Sequence, residues 1–163
     1  MNIRTVLPLI LFSISVRMYA DTAIDLNRFQ VRVEKGAQAR AEIVDDTEAG
    51  QKALLVTVSK PGPEFWSVEL HAPGFQFQAD NHYELKFRAK SSPAGYVYFV
   101  AEKDSGNQES IARGTTLRIP EQWIDCTIVL DVLQNGDPGR FTISDLSVDP
   151  SSFRFRDFVL IEK

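Results

Sequence analysis

Residues 83–90, Tyr83-Glu84-Leu85-Lys86-Phe87-Arg88-Ala89-Lys90, alternate apolar and charged side chains without a break. A period of two marks a half-buried β-strand, because successive side chains leave opposite faces of the pleat. Ser91-Ser92-Pro93-Ala94-Gly95 follows as a turn cluster, and Tyr96-Val97-Tyr98-Phe99-Val100-Ala101-Glu102 resumes the alternation. Read as a hairpin in which Arg88 opposes Tyr98, the two strands set Phe87 against Phe99, Leu85 against Ala101 and Ala89 against Val97. One face is then wholly apolar and belongs to a core. The other carries Glu84, Lys86, Arg88 and Lys90 beside Tyr96, Tyr98, Val100 and Glu102.

The same alternation recurs in Phe29-Val31-Val33, Ala37-Ala39-Ala41-Ile43, Leu54-Val56-Val58 and Val68-Leu70. Between these runs stand Lys60-Pro61-Gly62-Pro63, Pro73-Gly74, Asp104-Ser105-Gly106-Asn107 and Asn135-Gly136-Asp137-Pro138-Gly139, each with turn chemistry. The one helical alternative, Ala37 to Asp46, is outweighed by Ile43-Val44 and by its alternation. From Asp21 onward the chain therefore reads as all-β, a two-sheet antiparallel β-sandwich or jelly roll. A length of 163 residues without internal repeat or linker makes 21–163 a single domain.

Residues 1–20 read as an export signal to be set apart from the fold. Asn2-Ile3-Arg4 is a short positive start, Val6 to Val16 an apolar run, and Met18-Tyr19-Ala20 a cleavable end. Eleven residues, interrupted by Pro8, Ser13 and Ser15, are too few to span a bilayer, so no membrane insertion is expected after cleavage. No acidic residue lies in 1–20, so losing Arg4 and Arg17 moves the formal charge from −4 to −6. The expected product is acidic and secreted or periplasmic. An acidic chain without a contiguous Lys/Arg cluster is a poor nucleic-acid binder. One cysteine, Cys126, excludes an intramolecular disulfide framework and a Cys-rich zinc site. On its strand it shares a face with Ile124, Ile128 and Leu130, as a small buried hydrophobe would.

The outward strip of the hairpin gives the first functional indication. Sugars offer flat C–H patches over which aromatic rings stack, ringed by hydroxyls that need donors and acceptors. Tyr96 and Tyr98 with Arg88 and nearby carboxylates supply that mixture; an ordinary solvated sheet face would supply it too.

Beyond this, Gly50-x-x-Ala53-Leu54-x-Val56, Trp66-x-Val68-x-Leu70, Tyr83-x-Leu85-x-Phe87-x-Ala89-Lys90, Thr116-Leu117 to Trp123, and Phe153-Arg154-Phe155-Arg156-Asp157-Phe158-Val159-Leu160 together resemble carbohydrate-binding modules of the family 4 and family 9 type, with a galactose-binding-like jelly roll. The resemblance covers roughly residues 27 to 163. It implies a cleft on one sheet that holds a poly- or oligosaccharide without cutting it. It also implies roles for Trp66 and Glu69 in that cleft. By strand parity Trp66 shares a face with Val68 and Leu70, leaving it open between core anchor and sugar platform, whereas Phe65, Glu69 and His71 share the other face. The candidate ligand set is thus Phe65, Trp66, Glu69, Arg88, Tyr96 and Tyr98. Trp123 is implied to be structural. No cofactor is required; a structural calcium ion is the one metal the resemblance implies, with Asp157 as the matching carboxylate.

Enzyme signatures are thin. With His71 and His82 the only histidines, there is no H-E-x-x-H, G-x-S-x-G or phosphate-binding glycine loop. A hydrolase pair such as Glu69 and Glu102, or a lyase constellation of His71, Arg88 and Tyr98, can be drawn but nothing singles either out. The expectation is a non-catalytic protein. The alternative is a structural or adhesive sandwich that meets a separate secreted or cell-surface protein.

Overall fold

The structure, a computed structural model, describes residues 21–46, 50–146 and 151–163. The export signal expected at 1–20 lies outside the described residues. Among the described residues eleven strands carry the fold: β1 (Thr22–Ala23), β2 (Gln30–Val33), β3 (Gln38–Asp45), β4 (Lys52–Lys60), β5 (Val68–Phe77), β6 (His82–Ser92), β7 (Gly95–Lys103), β8 (Thr115–Ile119), β9 (Ile124–Asp131), β10 (Gly136–Ser144) and β11 (Ser151–Glu162). A single 3₁₀ turn at Leu26–Arg28 is capped by Asp25, whose side chain accepts from the Asn27 amide. No α-helix occurs among the described residues.

The strands form two antiparallel sheets. The back sheet runs β3-β4-β11-β6-β9, with β1 also paired to β11; the front sheet runs β2-β5-β10-β7-β8. The sandwich and jelly-roll expectation holds. Its core lies between the inner faces, where Leu54, Val56, Leu85, Phe87, Phe155 and Ile128 of the back sheet meet Leu70, Phe99, Phe141 and Ile143 of the front one. The apolar positions that alternation marked, Val56-Val58, Val68-Leu70 and Leu85-Phe87-Ala89 among them, are buried here. Burying each such side chain contributes on the order of 1.5–3 kcal/mol.

The hairpin expectation is overturned. β6 pairs with β11 and β9, whereas β7 pairs with β10 and β8. Pro93 and Ala94, between β6 and β7, carry the chain from one sheet to the other. Ser91 secures this crossover: its hydroxyl donates to the Ile119 carbonyl at 2.8 Å and accepts from the Gly95 amide at 3.1 Å. Alternation fixes which side chains face the core but not which strand is the neighbour, and both arrangements bury the same residues. Phe87 and Phe99 do meet, with ring centroids 4.8 Å apart, across the core rather than along one sheet.

Two expected turns also lie inside strands. Pro73-Gly74 falls within β5 and 136–139 within β10; Pro73 pairs with Arg140, and Gly136 and Gly139 pair with Phe77 and Phe75, with register shifts between Gly136 and Gly139 and between Gly139 and Arg140. The irregular pairing accommodates a proline that cannot donate to the ladder. A third irregularity, in β11, separates Arg156 from Val159; Asp157 there has φ 58°. The bulge changes the phase of the strand, so that Phe153 and Phe155 before it and Phe158 after it are all buried.

Candidate functional site

The outer face of the front sheet is built from side chains of opposite parity to the core. Adjacent positions follow from the registers: Arg32 beside Glu69, His71 beside Thr142 beside Val100, Arg140 beside Glu102, and Ser144 beside Tyr98 beside Thr116. This face is almost wholly polar. Yet Ser67, Glu69, Arg140, Thr142 and Ser144 are buried. Polar groups withdrawn from water on the outside of a sheet persist only because they are paired; the recess on this side of the protein is the one lined by Phe65, Tyr98, Thr116 and Asp145.

Two networks do the pairing. Glu102 Oε2 accepts from Arg140 Nη2 at 2.9 Å, from Arg140 Nε at 3.2 Å and from Thr142 Oγ1 at 2.8 Å. Asp104 stands 3.9 Å from the remaining Arg140 nitrogen. Further along the floor, Glu69 Oε2 lies 3.0 Å from His71 Nε2 and 3.6 Å from Arg32 Nη1. Arg32 Nη1 also donates to Gln108 Oε1 at 3.4 Å. Gln108 belongs to the segment 104–114 between β7 and β8, and three strand spacings, about 14 Å, separate β7 from β2. The segment therefore straps across β10 and β5 to reach Arg32.

Aromatic side chains form the other wall. Phe65 and Trp66 lie in the turn that precedes β5, rings edge-to-face at 4.8 Å. Phe65 is 54% exposed, and its carbonyl accepts from the Asp145 amide at 2.9 Å. With Tyr98, Thr116 and Asp145 it lines a cavity of about 300 Å³. A neighbouring cavity of about 390 Å³ shares Thr116 and Asp145 and is walled by Tyr96, Leu146 and Phe153. Burial pushes the Asp145 carboxyl above its ordinary value. Tyr98 is held in place by Gly114: a Cβ there would fall 1.9 Å from the phenolic oxygen, so only glycine lets the ring lie against the loop.

Of the candidate ligand residues, Phe65 and Tyr98 line one of these cavities and Tyr96 the other, Trp66 packs against Phe65, and Glu69 lies on the same sheet, but Arg88 does not. Arg88 projects from the outer face of the back sheet, 3.2 Å from Asp125. The lyase constellation of His71, Arg88 and Tyr98 is therefore not assembled. Trp66 is half-buried in a turn, so the strand parity invoked for it does not apply. Glu69 faces outward as parity predicts, but at 9% exposure it is a buried, ion-paired floor residue. His71, Arg140 and Thr142 complete the floor; Arg140 and Thr142 were missed because 136–139 read as a turn.

Asp157 does not fit a calcium shell. Its carboxylate stands 3.6 Å from Arg156 Nε, and no group of three or more His, Cys, Asp or Glu forms among the described residues. Calcium wants six to eight oxygens, not a guanidinium. Cys126 is buried, and burial together with nearby Asp125 pushes its thiol up to about 11. Trp123 packs on the back sheet rather than in the core, with Arg156, Lys90 and Arg88 over its ring at 4.5, 4.8 and 5.8 Å.

Among solved structures, a CBM4 module superposes with a TM-score of 0.65 at 16% identity, over 84% of this chain and 96% of the other. The fold is that of carbohydrate-binding modules. The N-terminal cellulose-binding domain of Cellulomonas fimi β-1,4-glucanase C matches at 0.64 and 13% identity, over 85% and 91% of the two chains. A family 11 carbohydrate-binding module from Clostridium thermocellum, in complex with a β-1,3-1,4-mixed-linked tetrasaccharide, matches at 0.60 and 12%, over 86% and 95%. No family model and no curated protein matches the sequence. In each of these three pairs the module fold takes up nearly the whole of both chains.

Proposed function

We propose that this protein is a secreted or periplasmic, non-catalytic binder of a poly- or oligosaccharide, held in the front-sheet recess. The observation that carries the reading is the pairing of a buried polar floor with aromatic walls on an outer sheet face. Phe65, Tyr96 and Tyr98 offer ring faces to sugar C–H patches, while Arg140, Glu102, His71, Glu69 and Thr142 offer fixed donors and acceptors to hydroxyls. The carboxylates Glu102 and Glu69 are each engaged by cationic or imidazole neighbours, which suits binding geometry rather than proton transfer. The fold shared with modules described as cellulose-binding and tetrasaccharide-bound supports the same class of ligand.

The test is a glycan-array screen of the purified protein, calorimetric titration of any hit, and a product assay on the same mixture. Saturable binding without released product is expected. Absence of binding across neutral and charged glycans would put protein contact ahead, and released product would make the protein an enzyme.

A further inference from the structure

The outer face of the back sheet carries a second constellation that the recess does not use. Lys90 of β6 and Arg154 of β11 are direct register partners, and Ser92 and Ser152 are partners two residues further along the same two strands. All four share one face, because the residues between them, Ser91 and Phe153, are buried on the other side. Like charges placed opposite one another in a sheet oppose folding. Elsewhere on this face the cations are neutralised: Lys86 by Glu84 at 3.4 Å, Arg88 by Asp125 at 3.2 Å and Arg156 by Asp46 at 3.2 Å. Lys90 and Arg154 have no carboxylate within ion-pair distance among the described residues. Lys90 instead sits over the Trp123 ring, which limits where its ammonium can go. The four side chains line a cavity of about 310 Å³, completed by Ser91 and by the exposed Glu121.

We propose that this cavity binds an oxyanion, a sulfate, phosphate or carboxylate group carried by a ligand. An ammonium, a guanidinium and two hydroxyls line one cavity, a donor set that complements an acceptor-only group with several oxygens. The guanidinium supplies two parallel N–H groups, the ammonium a second positive charge from the neighbouring strand. Glu121 is the one carboxylate lining the cavity among the described residues, so it tunes the affinity downward. This site faces away from the recess and is independent of what the recess binds.

The experiment is a titration of the ¹⁵N-labelled purified protein with sodium sulfate, sodium phosphate and sodium glucuronate, each against sodium chloride at matched ionic strength. Saturating amide shifts confined to 90–92 and 152–154 are expected with at least one oxyanion and not with chloride. The tightest of the three names the source: a sulfate ester, a phosphate ester or a uronate. Arg154→Gln and Lys90→Gln should each weaken binding about tenfold, Glu121→Gln should strengthen it, and Phe65→Ala should leave it unchanged. Linear shifts that chloride reproduces would overturn the proposal. So would undiminished affinity in a folded Arg154→Gln variant.

Discussion

Phe87 and Phe99 stack at 4.8 Å with an interplanar angle of 29°, one ring from each sheet, and thereby tie the two layers together at the middle of the core. Phe87 also stacks on Phe158 at 5.1 Å, so the contact continues along the back sheet past the β11 bulge. Phe87→Ala and Phe99→Ala should each cost about 3–5 kcal/mol of stability, the transfer loss plus an unfilled cavity. In urea unfolding, the double variant should lose less than the sum of the singles, since the two rings share one contact. Strict additivity would mean that the rings do not support one another.

Glu102 and Arg140 make a two-bond pair on the floor of the recess, with Thr142 donating to the same oxygen. Arg140 is buried and Glu102 half-buried, so removing the carboxylate leaves the guanidinium uncompensated, at a cost of roughly 3 kcal/mol. Glu102→Ala is expected to lower the unfolding free energy by that amount and to weaken glycan binding, because Arg140 loses the partner that orients it. A variant with unchanged stability would place Asp104 as the working partner of Arg140.

Phe65 and Tyr98 should separate binding from folding. Phe65→Ala and Tyr98→Ala are each expected to reduce glycan affinity by about 1–3 kcal/mol in calorimetry. Phe65 is half-exposed, so its removal should barely move the melting temperature. Arg88→Ala, on the opposite sheet, should leave glycan affinity as it was. A loss of affinity at Arg88 would relocate the glycan site.

Asp145 makes stability depend on pH in a definite direction. A carboxyl with a higher pKa folded than unfolded keeps its proton more readily in the folded chain, so stability falls as pH rises from its ordinary value of 3.8 through the raised one, then levels off. Asn tolerates the same backbone conformation, φ 67°, that Asp145 adopts. Asp145→Asn should therefore match or exceed the parent's stability at neutral pH, and the gap should close on acidification. A variant less stable than the parent at neutral pH would contradict the burial of this carboxyl.

Alternation made the core legible from residues such as Leu85, Phe87 and Val97, because parity depends only on spacing along one strand. Strand partners depend on the path of the chain, and nothing in Ser91 to Gly95 distinguishes a hairpin loop from a crossover between sheets. That ambiguity sent Arg88 to the wrong face. Likewise Pro73-Gly74 and 136–139 carry turn chemistry, and only the pairing of β5 with β10 in the structure turns two breaks into one irregular ladder. Arg140 and Thr142 were hidden with them. Glu69 was legible as outward-facing, but its burial depends on Arg32 and His71 coming alongside, a non-local fact.

The two outer faces point in opposite directions, separated by a core about 10 Å thick. A single stiff polymer cannot touch both at the same place, so with the two proposed sites occupied together the bound polymer and the bound anion would lie on opposite sides of the protein. With both faces engaged, the protein becomes a junction rather than a clamp. Gel mechanics would register this directly: stiffness should rise with added protein, pass through a maximum, and fall once each polymer strand carries its own copy.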